Sequence, residues 1–269
     1  YFLAKRHHIP TPETVFPTSV DEVRQFARTA QFPVMLKGID GNLLQRRTGR
    51  KMVIASSPER MLESYHRLED PRQPNLMLQE YIPGKDDAQW MFNGYFNRNS
   101  DCLIGFTGRK LRQYPVYTGP TSLGICLRND AVDQTTRRWM KEIGYRGVLD
   151  IGYRYDARDG QYKVLDVNPR IGATFRLFLG DNGMDVARAL YLDLTGQHVP
   201  FSVQREGRKW IVEKDIAAFL EYRRDRVLKT SDWLKSLKGI EEFGYFAADD
   251  PAPFLRMCMH LVSQTVKDR

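Results

Sequence analysis

Cysteine is scarce in this sequence: its 269 residues hold three, Cys102, Cys126 and Cys258. An odd number with no close pair excludes a disulfide framework and fits a reducing, cytoplasmic setting. Only Cys258 has a histidine nearby, His260, and two ligands do not make a zinc site. Long apolar runs are missing too. None approaches the roughly 20 residues that span a bilayer, and nothing at Tyr1 has the form of a signal peptide, so we expect no membrane association. Internal repeats and low-complexity tracts are absent. His7, His8, His66, His198 and His260 show no pairing that demands a catalytic role, and no Ser, Cys or His nucleophile stands out.

What is present is a globular balance, 42% hydrophobic, on a chain long enough for one large domain or two modest ones. The formal charge is +8, which raises nucleic acid as a partner because clustered Lys and Arg release counterions from phosphates. The clusters are short and scattered, at residues 5–8, 46–51, 137–138 and 223–226. Neither a recognition helix nor an aromatic RNA-binding signature accompanies them. Solvated faces plus a basic cleft for an anionic cofactor is the better reading.

Residues 1–18 read as the end of a helix and a proline-punctuated linker, so the chain begins in the middle of something. Residues 19–31 follow as an amphipathic helix, with Ser19 as its cap and Val23, Phe26, Ala27 and Ala30 at helical spacing. Strands are expected at 33–37, 51–55 and 76–81, with a Gly- and Arg-rich loop over 38–49 and a helix opened by Ser57-Pro58. Residues 89–108 read as extended, and a polar loop runs over 109–124. A helix starts at Asn129 or Asp130, strands at 147–155 and 162–168 form a hairpin, and a helix covers 185–194. Residues 201–269 read as mostly helical, with a start at Asp250-Pro251.

The chemistry concentrates in GVLDIGYRYDARDGQYKVLDVNPRIG, residues 147–172. Alternate residues of a strand share a face, so Asp166 and Asn168 point one way while Leu165 and Val167 point into the core. On the preceding strand Val148, Asp150 and Gly152 share a face. Register decides whether the polar sets meet. A three-residue turn, Arg158-Asp159-Gly160 with Gly160 left-handed, sets Asp150 opposite Asn168 and Gly152 opposite Asp166. A two-residue Asp159-Gly160 turn puts Asp150 and Asp166 on opposite faces. In the first register two carboxylates and a carboxamide converge on an apolar hairpin, which is costly without a cation. Oxygen ligands on rigid strands, with positions left for phosphate oxygens, suit magnesium, with manganese as its substitute.

The Asp-x-Asn-Pro-Arg segment at 166–170 resembles the Glu-x-Asn-Pro-Arg signature of ATP-grasp enzymes. Upstream, PVMLKG at 33–38 resembles the strand whose lysine holds nucleotide phosphates, and LQEYIPG at 78–84 resembles the hinge strand that grips adenine. The three motifs keep their order over about residues 9–200. The nearest likeness is to the carboxylate-amine ligase branch, which includes D-aspartate ligase and carbamoyl-phosphate synthetase-like proteins.

The resemblance implies an α+β ATP-grasp fold. A small subdomain at 19–85 and a large one at 86–200 would grip the nucleotide, preceded by the linker 1–18 and followed by a mostly helical C-terminal extension at 201–269. It implies an ATP-dependent carboxylate-amine ligase that works through an acyl phosphate, with ATP and Mg2+ as cofactors and a small-molecule carboxylate and amine as substrates. A homo-oligomer is left open. Carried over residue by residue, Lys37 would contact phosphate oxygens and Arg170 would stabilise the acyl-phosphate region, as the catalytic cations. Gln79, Glu80, Tyr81 and Ile82 would form the adenine hinge, and Asp86 or Asp87 would reach the ribose hydroxyls. Loop 38–49 would cover the phosphates, although it lacks the Walker spacing. Asp150, Asp166 and Asn168 would hold the metal. Lys110 and Arg112, on the 109–124 loop, are further candidates for phosphate or substrate contacts. Aspartate stands at 166 where the family has glutamate, which keeps the charge on a shorter arm. An Asp-Lys pair that the family carries in an earlier domain of about 100 residues would fall before Tyr1. Two other readings remain: a nucleotide-binding module without ligase activity, and a nucleic-acid-binding protein.

Overall fold

A short helix, α1 (Phe2–Arg6), opens the chain, anchored by buried Ala4 and by Ile9 just beyond it. The prolines after it do not leave a free linker: β1 (Thr14–Val15) pairs antiparallel with β4 (Leu76–Glu80). The computed structural model describes residues 1–84 and 88–267, with side chains described as far as residue 260. It divides into two units, Tyr1–Pro83 and Gly84–Arg269.

In the first unit, Ser19 caps α2 (Val20–Thr29) by accepting from the Glu22 N–H at 3.3 Å, and the Glu22 carboxylate accepts from the Thr18 N–H at 2.7 Å. The Ser19 hydroxyl satisfies one orphan donor and Glu22 ties down the residue before the cap, which fixes where the helix begins. β2 (Val34–Gly38) and β3 (Met52–Ala55) complete an antiparallel sheet in the order β1-β4-β2-β3. The stretch between them is not the expected loop over 38–49 but a helix, α3 (Gly41–Thr48). Asp40 caps it by accepting from Asn42 and Leu43 N–H, Leu44 is fully buried, and Gly49 closes it at φ 73°. Glycine and arginine density hid a single buried leucine and a good cap. α4 (Pro58–Leu68) carries proline in its first turn behind the Ser57 cap, and with α2 it covers one face of the sheet over Val34, Leu36, Leu76 and Leu78.

In the second unit a seven-stranded sheet runs in the order β11-β10-β7-β6-β5-β8-β9. Its centre is β5 (Gln89–Phe96), β6 (Cys102–Gln113), β7 (Thr121–Cys126), β8 (Gly147–Asp156) and β9 (Gln161–Asn168). α5 (Asp130–Glu142), capped by Asn129, packs Val132, Thr136, Trp139 and Met140 on one face, where the Thr136 hydroxyl meets Tyr153 Oη at 2.7 Å. α6 (Val186–Leu194), capped by Asp185, covers part of the other face with Phe178 and Met184, over Met91, Tyr95 and Phe106. Each such fully buried side chain stabilises by about 1.5–3 kcal/mol relative to exposure.

β6 continues to Gln113 and β7 starts at Thr121, so the expected loop over 109–124 shrinks to residues 114–120, and Lys110 and Arg112 lie on a strand. Residues 201–269 are not purely helical. β10 (Lys209–Ile211) joins β7, and β11 (Ile240–Phe243) pairs parallel to β10, around α7 (Asp215–Arg224) and α8 (Thr230–Leu237), with α9 (Ala252–Lys267) at the end. A three-residue strand offers too few positions for a period to show. Among the described residues no helix is long and apolar enough to cross a membrane.

Candidate functional site

The β8–β9 hairpin sets the geometry. Asp156, fully buried, accepts from the Arg158 N–H at 3.0 Å, from the Arg158 guanidinium at 2.6 and 2.8 Å and from Lys163 Nζ at 2.7 Å. These bonds, those to Arg158 foremost, hold its carboxyl well below the usual range. The Gly160 N–H closes on the Asp156 carbonyl at 2.8 Å with Gly160 left-handed at φ 73°. The turn therefore spans residues 157–160, and Asp156 pairs with Gln161. Carried on unbroken, that register would put Asp150 opposite Val167. A β-bulge intervenes: Tyr153 pairs with Val164 and Gly152 with Asp166, leaving Leu165 extra, and beyond it Asp150 faces Asn168. The expected pairing holds, by a longer turn plus a bulge instead of a three-residue turn. Leu165 and Val167 depart from expectation. The bulge turns Leu165 into the cleft, and Val167, on the sheet's edge strand, is 39% exposed.

Two glycines make room for the acids. A Cβ on Gly152 would stand 2.4 Å from Asp166 Oδ1, and one on Gly172 would stand 2.4 Å from Asp150 Oδ2. Asn168 Nδ2 donates to Asp166 Oδ2 at 2.6 Å. Beneath them Asn93, 1% exposed, donates Nδ2 to Asp150 Oδ1 at 3.4 Å, while its own Oδ1 is buried without a hydrogen-bond partner. Burial, and then the neighbouring Asp166, push the Asp150 carboxyl up to about 6 against the pull of Asn93, Arg170 and Lys110. A carboxylate held in space cleared by glycine, destabilised by its neighbour and backed by an orphaned amide oxygen fits a hard divalent cation. Two carboxylates and one carboxamide leave positions for water and phosphate oxygens, as magnesium prefers. Among the described residues no set of three or more His, Cys, Asp or Glu could hold a metal, so the candidate site relies on Asn168 beside its two acids.

Lys110 and Arg170 flank the acids in the same cleft, which also takes in Gln89, Trp90, Met91 and Thr174. Lys110 Nζ donates to the Gly119 carbonyl at 3.2 Å and to Gln113 Oε1 at 3.4 Å. Arg112 does not join them. A register shift between Lys110 and Arg112 sends the latter into the protein, where it is 5% exposed and donates to Asp215 through Nε and Nη2 at 2.7–3.0 Å. The cleft encloses about 230 Å³, less than the roughly 300–1,000 Å³ that surrounds a drug-sized ligand.

No family model matches the chain. It is 29% identical over 163 residues to D-aspartate ligase of Enterococcus faecium, covering 56% of this chain and 37% of that protein. It is 26% identical over 195 residues to the carbamoyl phosphate synthase large chain of Archaeoglobus fulgidus, covering 69% and 17%. Among solved structures, the biotin carboxylase domain of Hydrogenobacter thermophilus 2-oxoglutarate carboxylase, in complex with MgADP, ADP and bicarbonate, superposes with a TM-score of 0.58 at 18% identity, over 77% of this chain and 47% of that one. The chain has the ATP-grasp fold. It spans about half or less of the length of each of these three relatives.

The remaining expected residues lie in the first unit or outside the described residues. Lys37, half-buried, pairs with Met52 and Met77, and so shares with Met35 and Ile54 the sheet face opposite α2 and α4. Gln79 donates Nε2 to Thr14 Oγ1 at 2.9 Å. The Glu80 N–H donates to the Glu13 carbonyl at 2.8 Å, the Glu80 carboxylate accepts from the Glu13 N–H, and the Tyr81 N–H reaches the Pro33 carbonyl at 3.4 Å. Ile82 is buried. Asp86 and Asp87 lie outside the described residues. Sequence reasoning missed Asn93 and Gly172, and it set Gly152 opposite Asp166 without seeing that it makes room for the carboxylate. A lone asparagine in the apolar run WMFNGYF and two glycines in step with two acids were the available signals.

Proposed function

We propose that this chain is the nucleotide-binding part of an ATP-dependent carboxylate-amine ligase. The observation that carries the reading is the meeting of Asp150, Asp166 and Asn168 in a cleft flanked by Lys110 and Arg170, in a chain similar to D-aspartate ligase. A substrate carboxylate oxygen attacks the γ-phosphorus of ATP, ADP leaves, and an acyl phosphate forms; the amine nitrogen then attacks the acyl carbon, phosphate leaves and the nitrogen gives up a proton. A bound magnesium supplies charge neutralisation and alignment at the transferring group. Asp150, Asp166 and Asn168 hold that ion. Arg170 and Lys110 neutralise the phosphoryl and carboxylate oxygens, Lys37 holds phosphate oxygens, and Gln79, Glu80, Tyr81 and Ile82 contact adenine, mostly through backbone groups. The methionine-rich face around Lys37 is a soft apolar surface that suits a flat base.

Three free cysteines and the absence of any membrane-crossing helix among the described residues support a cytoplasmic setting. The substrates are a small carboxylate and an amine. The deciding experiment is calorimetric titration with the ATP analogue AMPPNP in the presence and absence of magnesium, followed by ADP release on adding candidate carboxylates and amines. Magnesium-dependent binding with substrate-dependent ADP release supports a ligase, and binding alone supports a nucleotide module without ligase activity. No binding refutes both.

A further inference from the structure

The turn over residues 114–120, YPVYTGP, joins β6 to β7 and contributes Pro120 to the cleft, beside Thr121 at the start of β7. Tyr117 within it sits at φ 68°. A bulky L-residue keeps that left-handed conformation only when its surroundings over-determine it. Those surroundings come from α7. Tyr117 Oη donates to Asp225 Oδ2 at 2.8 Å, and its ring stands edge-on to Tyr222 at 5.5 Å. Tyr222 lies in the last turn of α7 and Asp225 is its C-cap. The other end of α7 grips both stems of the same turn: Asp215, fully buried, accepts from Arg112 on β6 and from Ser122 Oγ on β7 at 2.7 Å.

The turn is tight inside. Tyr114 N–H donates to the Pro120 carbonyl at 3.0 Å and Gly119 N–H to the Pro115 carbonyl at 2.8 Å, and a Cβ on Gly119 would stand 2.2 Å from the Tyr114 carbonyl carbon. Its inner edge presents the Gly119 carbonyl to Lys110 Nζ at 3.2 Å. A continuous line of contacts thus runs from α7, through Tyr117, to the cation that faces the two acids.

We propose that α7 splints the turn at 114–120 as a wall of the cleft, and that Asp225 and Tyr117 are positioning residues that fix Lys110 for an anionic oxygen, carboxylate or phosphate. The splint stands on the contacts alone; only the identity of the anion rests on the ligase reading. The 269-residue chain is compared with Tyr117→Phe, Asp225→Ala and the double variant. Three quantities are read beside the melting temperature: amide exchange at Tyr114 and Gly119, the acetylation rate of Lys110 with acetic anhydride, and affinity for Mg-AMPPNP. Each variant removes one hydroxyl–carboxylate bond, so exchange and Lys110 acetylation should rise about fivefold with the melting temperature unchanged. The double variant should be no worse than either single one, because both break the same contact. Mg-AMPPNP affinity should fall by a similar factor.

Unchanged exchange and acetylation overturn the splint. Faster exchange with unchanged Lys110 acetylation overturns the positioning role. A parent that does not bind Mg-AMPPNP refutes the ligase reading, while the Lys110 rates still decide the splint.

Discussion

Replacing Gly152 by alanine should break the proposed metal site without harming the fold, and the structure fixes the size of the disturbance. The new Cβ would lie 2.4 Å from Asp166 Oδ1, where real contacts are essentially never under 3.0 Å. The carboxylate must therefore retreat by at least about 0.6 Å, against the tolerance of roughly 0.2 Å within which ligand distances hold. Asp166 is exposed and free to give way, and alanine in a strand interior is favoured over glycine by about 0.5–1 kcal/mol, so the melting temperature should stay level or rise slightly. Magnesium affinity should fall about 10- to 100-fold, the range seen when a ligand is displaced from its supported position. Magnesium-dependent AMPPNP binding by calorimetry, beside differential scanning fluorimetry, separates the two effects. A Gly152→Ala protein that binds magnesium as tightly as the parent would refute the placement of the cation between Asp150 and Asp166. Gly172→Ala, whose Cβ would press on Asp150 in the same way, should reproduce the result.

Asp150 is raised to about 6 in the metal-free protein. Proton and cation compete for it, so magnesium affinity should weaken as pH falls through about 6 and level off above; Asp150→Asn should flatten the profile, and a parent profile already flat from pH 5 to 8 would contradict the assignment. The same raised value means that ionising Asp150 opposes folding: its contribution is favourable below the unfolded pKa and is lost as pH rises through about 6, so magnesium should stabilise more at pH 7 than at pH 5 in thermal scans. Asp215→Ala strands the buried Arg112 guanidinium and should cost about 3–5 kcal/mol in urea denaturation; a loss under about 1 kcal/mol would mean that water reaches that pair. Lys37→Met should lower ATP affinity about tenfold and leave binding of Mg2+ alone unchanged, because the proposed metal ligands all belong to the second unit; a matching loss of Mg2+ binding would speak against separate roles.

Caps were the most legible feature of the sequence. Ser19, Ser57, Asn129 and Asp185 each start a helix where their side chains predict it, because capping is a local bond between neighbours. The Asp150–Asn168 pairing was legible as one of two registers, since the alternation of acids with apolar residues allows only certain partners. Its cause was not. The choice of a turn over 157–160 depends on Asp156 collecting Arg158 and Lys163, a network visible only once the strands have met. Arg112 failed for a related reason: its partner Asp215 is 103 positions away, and no local pattern marks a cation destined for burial. The short strands β10 and β11 owe their existence to a sheet edge built elsewhere in the chain.

The bulge at Leu165 has a consequence for how densely one strand can act. An ordinary strand shows a ligand only every second side chain, about 6.6 Å apart at a rise near 3.3 Å. By placing one residue outside the ladder, β9 turns two consecutive side chains, apolar Leu165 and anionic Asp166, into the same cleft. Greasy contact and charge are then delivered side by side, at half the usual spacing, from a single rigid element. An apolar group and a cation would then find their partners side by side on β9, an arrangement that a regular strand could offer only by borrowing from a neighbour.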